Sequence, residues 1–220
     1  MRLAKDNYEG SIVHVFFQNT CKPKGIGGKI MVNIMNTGHS SMAEWGFTHI
    51  EIRNNYICLD IGCGGGANVK KLLAKTPYGK VTGIDYSEIS VMKSQKINKV
   101  EIENRRCEIL QGNVMKLPFG NETFDIITAF ETIYFWPDIN EAFKQVYRVL
   151  KGSGTFMICN ESNGENSKEE KWTKIIQGMK IYNSGQVKKS LEGAGFTDIK
   201  IHKNEKGWLC VVCKKDKDVN

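Results

Sequence analysis

The sequence predicts an α/β fold, a single three-layer domain on a mostly parallel, seven-stranded sheet with an antiparallel C-terminal strand. Three observations carry the prediction. The apolar run Tyr56-Ile57-Cys58 enters Leu59-Asp60-Ile61-Gly62-Cys63-Gly64-Gly65-Gly66, which reads as a strand feeding a glycine turn and then a helix. A second strand, Val81-Thr82-Gly83-Ile84, ends on the carboxylate Asp85. Further apolar runs of strand length are each followed by a helical pattern, as parallel strands with crossovers require.

The remaining elements follow in order. Ser87 is placed to cap the helix after the second strand, and Cys107 to Gly112 reads as strand three. Phe124 to Phe130 reads as strand four. Asp138 follows Pro137 as a helix N-cap, with Glu141 in the capping-box position. Ile139, Ala142, Phe143, Val146, Val149 and Leu150 then fall on one helical face. Gly154 to Cys159 reads as strand five. Ser184 to Ala194 is a helix closed by Gly195. Asp198 to His202 and Trp208 to Cys213 form a hairpin around Lys203-Asn204-Glu205-Lys206-Gly207.

Two segments lie outside this core. Residues 1–54 form a leading cap segment with a short helix over Ile30, Met31, Ile34 and Met35, followed by Ser40 to Trp45. Residues 161–183 interrupt the domain with a polar loop and a helix carrying Trp172, Ile175, Ile176 and Met179. Both are expected over the carboxyl ends of the strands, where open α/β sheets bind ligands. The cofactor core is residues 55–160, and the closing helix and hairpin occupy 184–214.

A chain of 220 residues with 40% hydrophobic content is long enough to bury one such sheet. No run approaches bilayer length and Met1-Arg2-Leu3-Ala4-Lys5-Asp6 lacks a signal-peptide core, so a cytoplasmic protein is expected. Seven scattered cysteines fit reduced thiols. Cys210 and Cys213 lie three apart in a strand and point to opposite faces, so no metal is predicted. The net charge of +7 is spread through alternating stretches such as Lys168-Glu169-Glu170-Lys171, a solvated surface with no nucleic-acid groove.

Glycines at 62, 64, 65 and 66 let backbone approach a ligand at a helix N-terminus, and Asp85 stands where a ribose diol needs an acceptor. Gly62-x-Gly64-x-x-Ala67 also satisfies the loose dinucleotide fingerprint. Asp60 discriminates. A carboxylate beside the turn repels a diphosphate and attracts an ammonium or sulfonium, and S-adenosylmethionine (SAM) carries both cations.

The motif order, Leu59 to Gly66, Gly83 to Ser87, Gly112-Asn113-Val114 with Leu117-Pro118-Phe119, Phe124-Asp125, and Gly193-Ala194-Gly195-Phe196, resembles the class I SAM-dependent methyltransferases. Within them it is most similar to the ubiquinone and menaquinone biosynthesis group. The resemblance covers roughly residues 55 to 213 and implies a Rossmann-like three-layer sandwich. It implies that Asp60, Gly62, Cys63, Gly64 and Gly66 hold the methionine moiety and Asp85 the ribose, with Tyr86 beside the adenine. Asn113 and the Val114 amide would meet the adenine edge, where the family more often has Asp at 113.

The segment from Phe130 to Trp136 would border the departing methyl group, Phe130 included. Methyl transfer is an in-line displacement, so geometry supplies most of the catalysis and a base is needed only for a nucleophile of high pKa. Candidate bases are His39, Glu131 and Tyr134, with His49 behind them. Trp45, Trp172, Met179 and Tyr182 are candidates to line an acceptor pocket. A small-molecule acceptor is expected. The alternatives are a nucleic-acid methyltransferase of the same fold, a nicotinamide-dependent oxidoreductase and a catalytically silent SAM-binding protein.

Overall fold

The computed structural model describes residues 40–166 and 170–217. Among them are seven strands in one sheet: β1 (Ile57–Ile61), β2 (Lys80–Asp85), β3 (Cys107–Gln111), β4 (Phe124–Phe130), β5 (Leu150–Asn160), β6 (Thr197–Lys203) and β7 (Leu209–Lys214). Their order is β3-β2-β1-β4-β5-β7-β6, with β7 antiparallel to both neighbours and the pairs from β3 through β5 parallel. The predicted fold class is borne out. The connection reverses direction between β1 and β4, which opens a crevice at the carboxyl ends of those two strands.

The helices are α1 (Ser40–Phe47), α2 (Ala67–Lys75), α3 (Glu88–Ile97), α4 (Lys99–Glu103), α5 (Ile139–Val149), α6 (Glu170–Ile175) and α7 (Ser184–Gly193). Strand residues alternate between two apolar layers. Leu59, Ile61, Ile127, Phe156 and Ile158 meet Phe143 and Val146 of α5 and Val187 and Leu191 of α7. On the other face Cys58, Ile126, Met157 and Cys159 meet Met42 of α1, Leu72 of α2 and Val91 of α3. Each fully buried Phe, Val or Leu side chain here contributes about 1.5–3 kcal/mol. Cys210 and Cys213 lie in opposite layers, as their spacing requires.

The caps explain the helix starts. Asp138 accepts the Asn140 and Glu141 amides, but Glu141 turns to Lys144 at 2.6 Å and does not complete the capping box. A full box occurs instead at α7, between Asn183 and Gln186, so the helix expected to open at Ser184 is capped one residue earlier.

One expectation needs correction. Leu150 does not belong to the α5 face: its N–H still closes the helix on Val146, but its own backbone is extended and pairs with Phe124. Strand five therefore starts four residues before Gly154, and a register shift between Phe124 and Ile126 accommodates the early start. Residues 40–47 form α1, whose Met42 and Ala43 are fully buried. Gly46 packs on Phe130 and Cys159, at the carboxyl ends of β4 and β5, and Cys159 Sγ lies 3.7 Å from the Met42 carbonyl. The helix expected over Ile30 to Met35 lies outside the described residues.

Candidate functional site

The glycine turn is fixed by backbone groups. The Gly62 and Cys63 amides both donate to the Ile84 carbonyl, at 2.8 and 3.1 Å, which knits the end of β1 to the end of β2. Gly62, Gly64 and Gly66 have φ of 71°, 51° and 84°, a region that side chains disfavour. The remaining space differs at each. A Cβ on Gly62 would stand 2.1 Å from Thr132 Oγ1, and one on Gly66 2.3 Å from Ser94 Oγ, but one on Gly64 would meet nothing within 4 Å. Gly64 is thus the open floor of the crevice. The Cys63 side chain is buried behind the turn, its thiol 4.0 Å from Ser94 Oγ.

Asp60 and Asp85 flank this floor. Asp60 is 2% exposed and accepts the Thr128 hydroxyl at 2.7 Å. Burial raises its pKa to about 7, against the lowering effect of the Thr128 bond and with a further rise from Asp85. Asp85 accepts the Gly64 amide on one oxygen and the Ser87 amide on the other, both at 2.9 Å. Burial raises its pKa too, and the amides of Ser87, Gly64 and Tyr86 oppose the rise. Two buried carboxylates beside an open backbone floor suit a cationic ligand with a diol, and disfavour a diphosphate. The residues present therefore fit SAM.

Tyr86 is 40% exposed beside Asp85, available to a flat ring. Asn113 Oδ1 accepts the Met115 amide at 2.9 Å and so shapes its own turn. Val114 is buried next to it.

At the carboxyl end of β4, Phe130 packs its ring 5.1 Å from Phe47. Glu131 follows in a left-handed conformation, φ 56°. Its carboxylate accepts the Glu161 amide and the Tyr134 hydroxyl, the latter at 3.2 Å. Tyr134 is buried, and its hydroxyl also accepts the Ser162 amide at 3.0 Å. Burial, reinforced by Glu131, pushes the phenol well above its ordinary range. These two candidate bases are therefore brought together, but as a latch joining the segments after β4 and β5. The Lys180 amide, donating to the Tyr134 carbonyl at 2.9 Å, brings the 161–183 segment to the same edge.

The expected acceptor lining does not assemble as one group. Trp45 packs against Trp208 and His49 on the α1 layer, and Tyr182 borders the α5 layer. His49 stacks on His202 at 3.9 Å, and burial, with His202, lowers its pKa. His39 lies outside the described residues. Thr128 is an addition that the sequence did not signal, since it acts across strands whose register is set by packing. Thr132, within the segment expected near the methyl group, closes over Gly62.

Residues 59–158, which contain the end of β1, β2 to β4, most of β5 and both carboxylates, match the family described as a methyltransferase domain. Cycloartenol-C-24-methyltransferase 1 of Oryza sativa subsp. japonica is 33% identical over 100 residues, 46% of this chain and 29% of that protein. Sterol 4-C-methyltransferase strm-1 of Caenorhabditis elegans is 28% identical over 155 residues, 70% of this chain and 42% of that protein. The chain thus spans less than half the length of these relatives. The crystal structure of a SAM dependent methyltransferase from Aquifex aeolicus superimposes with a TM-score of 0.71 at 19% identity, covering 84% of this chain and 97% of that one, a likeness of fold. The resemblance is thus matched by a methyltransferase-domain family over residues 59–158, and by the fold over most of the chain.

Proposed function

Since residues 59–158 carry a methyltransferase domain, we propose that the whole chain is a SAM-dependent methyltransferase acting on a small-molecule acceptor. The observation that carries this reading is the pairing of buried Asp60 with the open backbone at Gly64, between which a cation is favoured and a diphosphate is not. SAM, when bound, supplies a methyl group on a good leaving group. The chain's own part is to hold and orient. Asp60 would face the methionine ammonium, Asp85 would accept the ribose hydroxyls and Tyr86 would lie along the adenine. The latch of Glu131, Tyr134 and Ser162 would hold the cover that excludes water. Neither latch residue has a hydroxyl or carboxylate free of protein bonds, so their role in this reading is structural support of the acceptor side.

An apolar acceptor is supported by the relatives named as cycloartenol and sterol C-methyltransferases. The finer placement in the quinone-biosynthesis group rests on the order of the sequence motifs alone. Calorimetric titration with S-adenosylhomocysteine (SAH) and separately with NADH tests the cofactor. SAH binding without NADH binding supports the proposal, and the reverse sinks it. Incubation of isotopically labelled SAM with a lipid extract, read by mass spectrometry, then seeks the methylated product.

A further inference from the structure

Helix α2 begins at Gly66 without any side-chain cap, so something else must fix the peptide that opens it. The Gly66 carbonyl accepts the Lys70 amide from its own helix and, at 3.1 Å, Nδ2 of Asn98 from the far end of α3. Asn98 is 3% exposed and stands between α3 and α4, ending one helix and starting the next. Its Nδ2 also donates to the Ser94 carbonyl at 3.0 Å, and its Oδ1 has no partner among the described residues. An amide that leaves a buried acceptor unpaired is a poor choice for stability alone. Its two donor bonds have a directional effect instead. A trans peptide is planar, so holding the Gly66 carbonyl toward α3 turns the Ala67 N–H the opposite way, out of the helix N-terminus toward the turn.

We infer that Asn98 is a positioning residue for the cofactor turn, setting the Gly66–Ala67 peptide for the amino-acid end of the ligand. The inference rests on the proposed SAM site and names a residue outside the glycine motif and 32 positions from it. Ser94 supports the same arrangement, since its Cα and hydroxyl fill the space a Cβ on Gly66 would need.

The test is calorimetry of Asn98→Leu, a near-isosteric change without donors, against SAH and against adenosine. SAH affinity is expected to fall about tenfold with adenosine affinity kept within twofold, because adenosine lacks the amino-acid end. Equal losses for both ligands mark a merely structural role and overturn the inference, as does SAH binding unchanged from the parent protein. Asn98→Ser, with a shorter donor and less disturbance to the core, gives the same split in smaller measure if the Leu variant does not fold. A parent protein that binds no SAH fails at the earlier step and removes the site on which the inference stands.

Discussion

The glycine turn after β1 and the latch after β4 are built in opposite ways at the same edge of the sheet. The turn is tied by backbone amides to the neighbouring strand, with the side chains of Asp85 and Asn98 bonded to its backbone and Gly64 left bare toward the ligand. The latch uses two side chains, Glu131 and Tyr134, to reach backbone amides about thirty positions along the chain. A bare turn is shaped before a ligand arrives and so costs little to organise on binding. A latch of side chains on distant backbone fixes a cover, and its loss frees the cover without reshaping the turn. Cofactor binding and cover closure are separable functions in this arrangement.

The strongest way to break the comparison is within the turn itself. Gly66→Ala places a Cβ against Ser94 and Asn98 in a conformation that side chains disfavour. Backbone strain of about 1–3 kcal/mol and overpacking of similar size combine, so SAH binding should fall more than a hundredfold, with a clear drop in thermal stability. Gly64→Ala meets open space and should cost the fold only about 1–2 kcal/mol, yet obstruct the ligand. Calorimetry and thermal unfolding of the two variants side by side separate crowding of the turn from crowding of the site.

Asp60 sharpens the comparison through pH. Its pKa in the fold lies at about 7, so it is neutral below that value and ionised above it. A cationic ligand favours the ionised form, and SAH affinity should therefore rise about tenfold between pH 6 and 8. Asp60→Asn should flatten that profile. The ligand-free protein shows the converse trend. The raised pKa contributes stability that is complete below the unfolded value near 4 and is lost as pH climbs to about 7, so thermal scans of parent and variant should converge at low pH.

The latch is expected to respond more gently. Tyr134→Phe deletes the hydroxyl bonded to Ser162 and Glu131 and should lower stability by about 1–3 kcal/mol in denaturant unfolding, with SAH affinity retained. Loss of SAH binding in that variant would contradict the separation of the two regions. The smallest effect belongs to Tyr86→Ala. Removing a 40% exposed ring should leave unfolding unchanged and weaken SAH by a factor set by about 1 kcal/mol of stacking.

The same contrast explains what could be read from the sequence. The turn, Asp60 and Asp85 were visible because local conformation demands glycine and because strand ends carry their carboxylates in a recognisable order. The α5 face and its Asp138 cap were visible for the same local reason. Leu150 was not: it satisfies helical spacing and strand burial equally, and only its pairing with Phe124 decides. The Thr128 partner of Asp60 depends on the β1–β4 register, which no local pattern encodes. Glu131 and Tyr134 were found as polar residues near the site, but their engagement with Glu161 and Ser162 needed the third dimension. Trp45 and Tyr182 were grouped by chemistry, and the sheet puts them on opposite sides.

The insertion of β7 between β5 and β6 bears on how the chain assembles during synthesis. The parallel half from β1 to β5 can form as soon as residue 160 has emerged, yet the outer edge of β5 then has no neighbour until residues 209–214 are made. For that interval a long strand holding Phe156, Met157 and Ile158 offers an unpaired backbone edge to any other nascent chain. Slow translation of residues 161–214 should therefore raise aggregation by keeping that edge open longer.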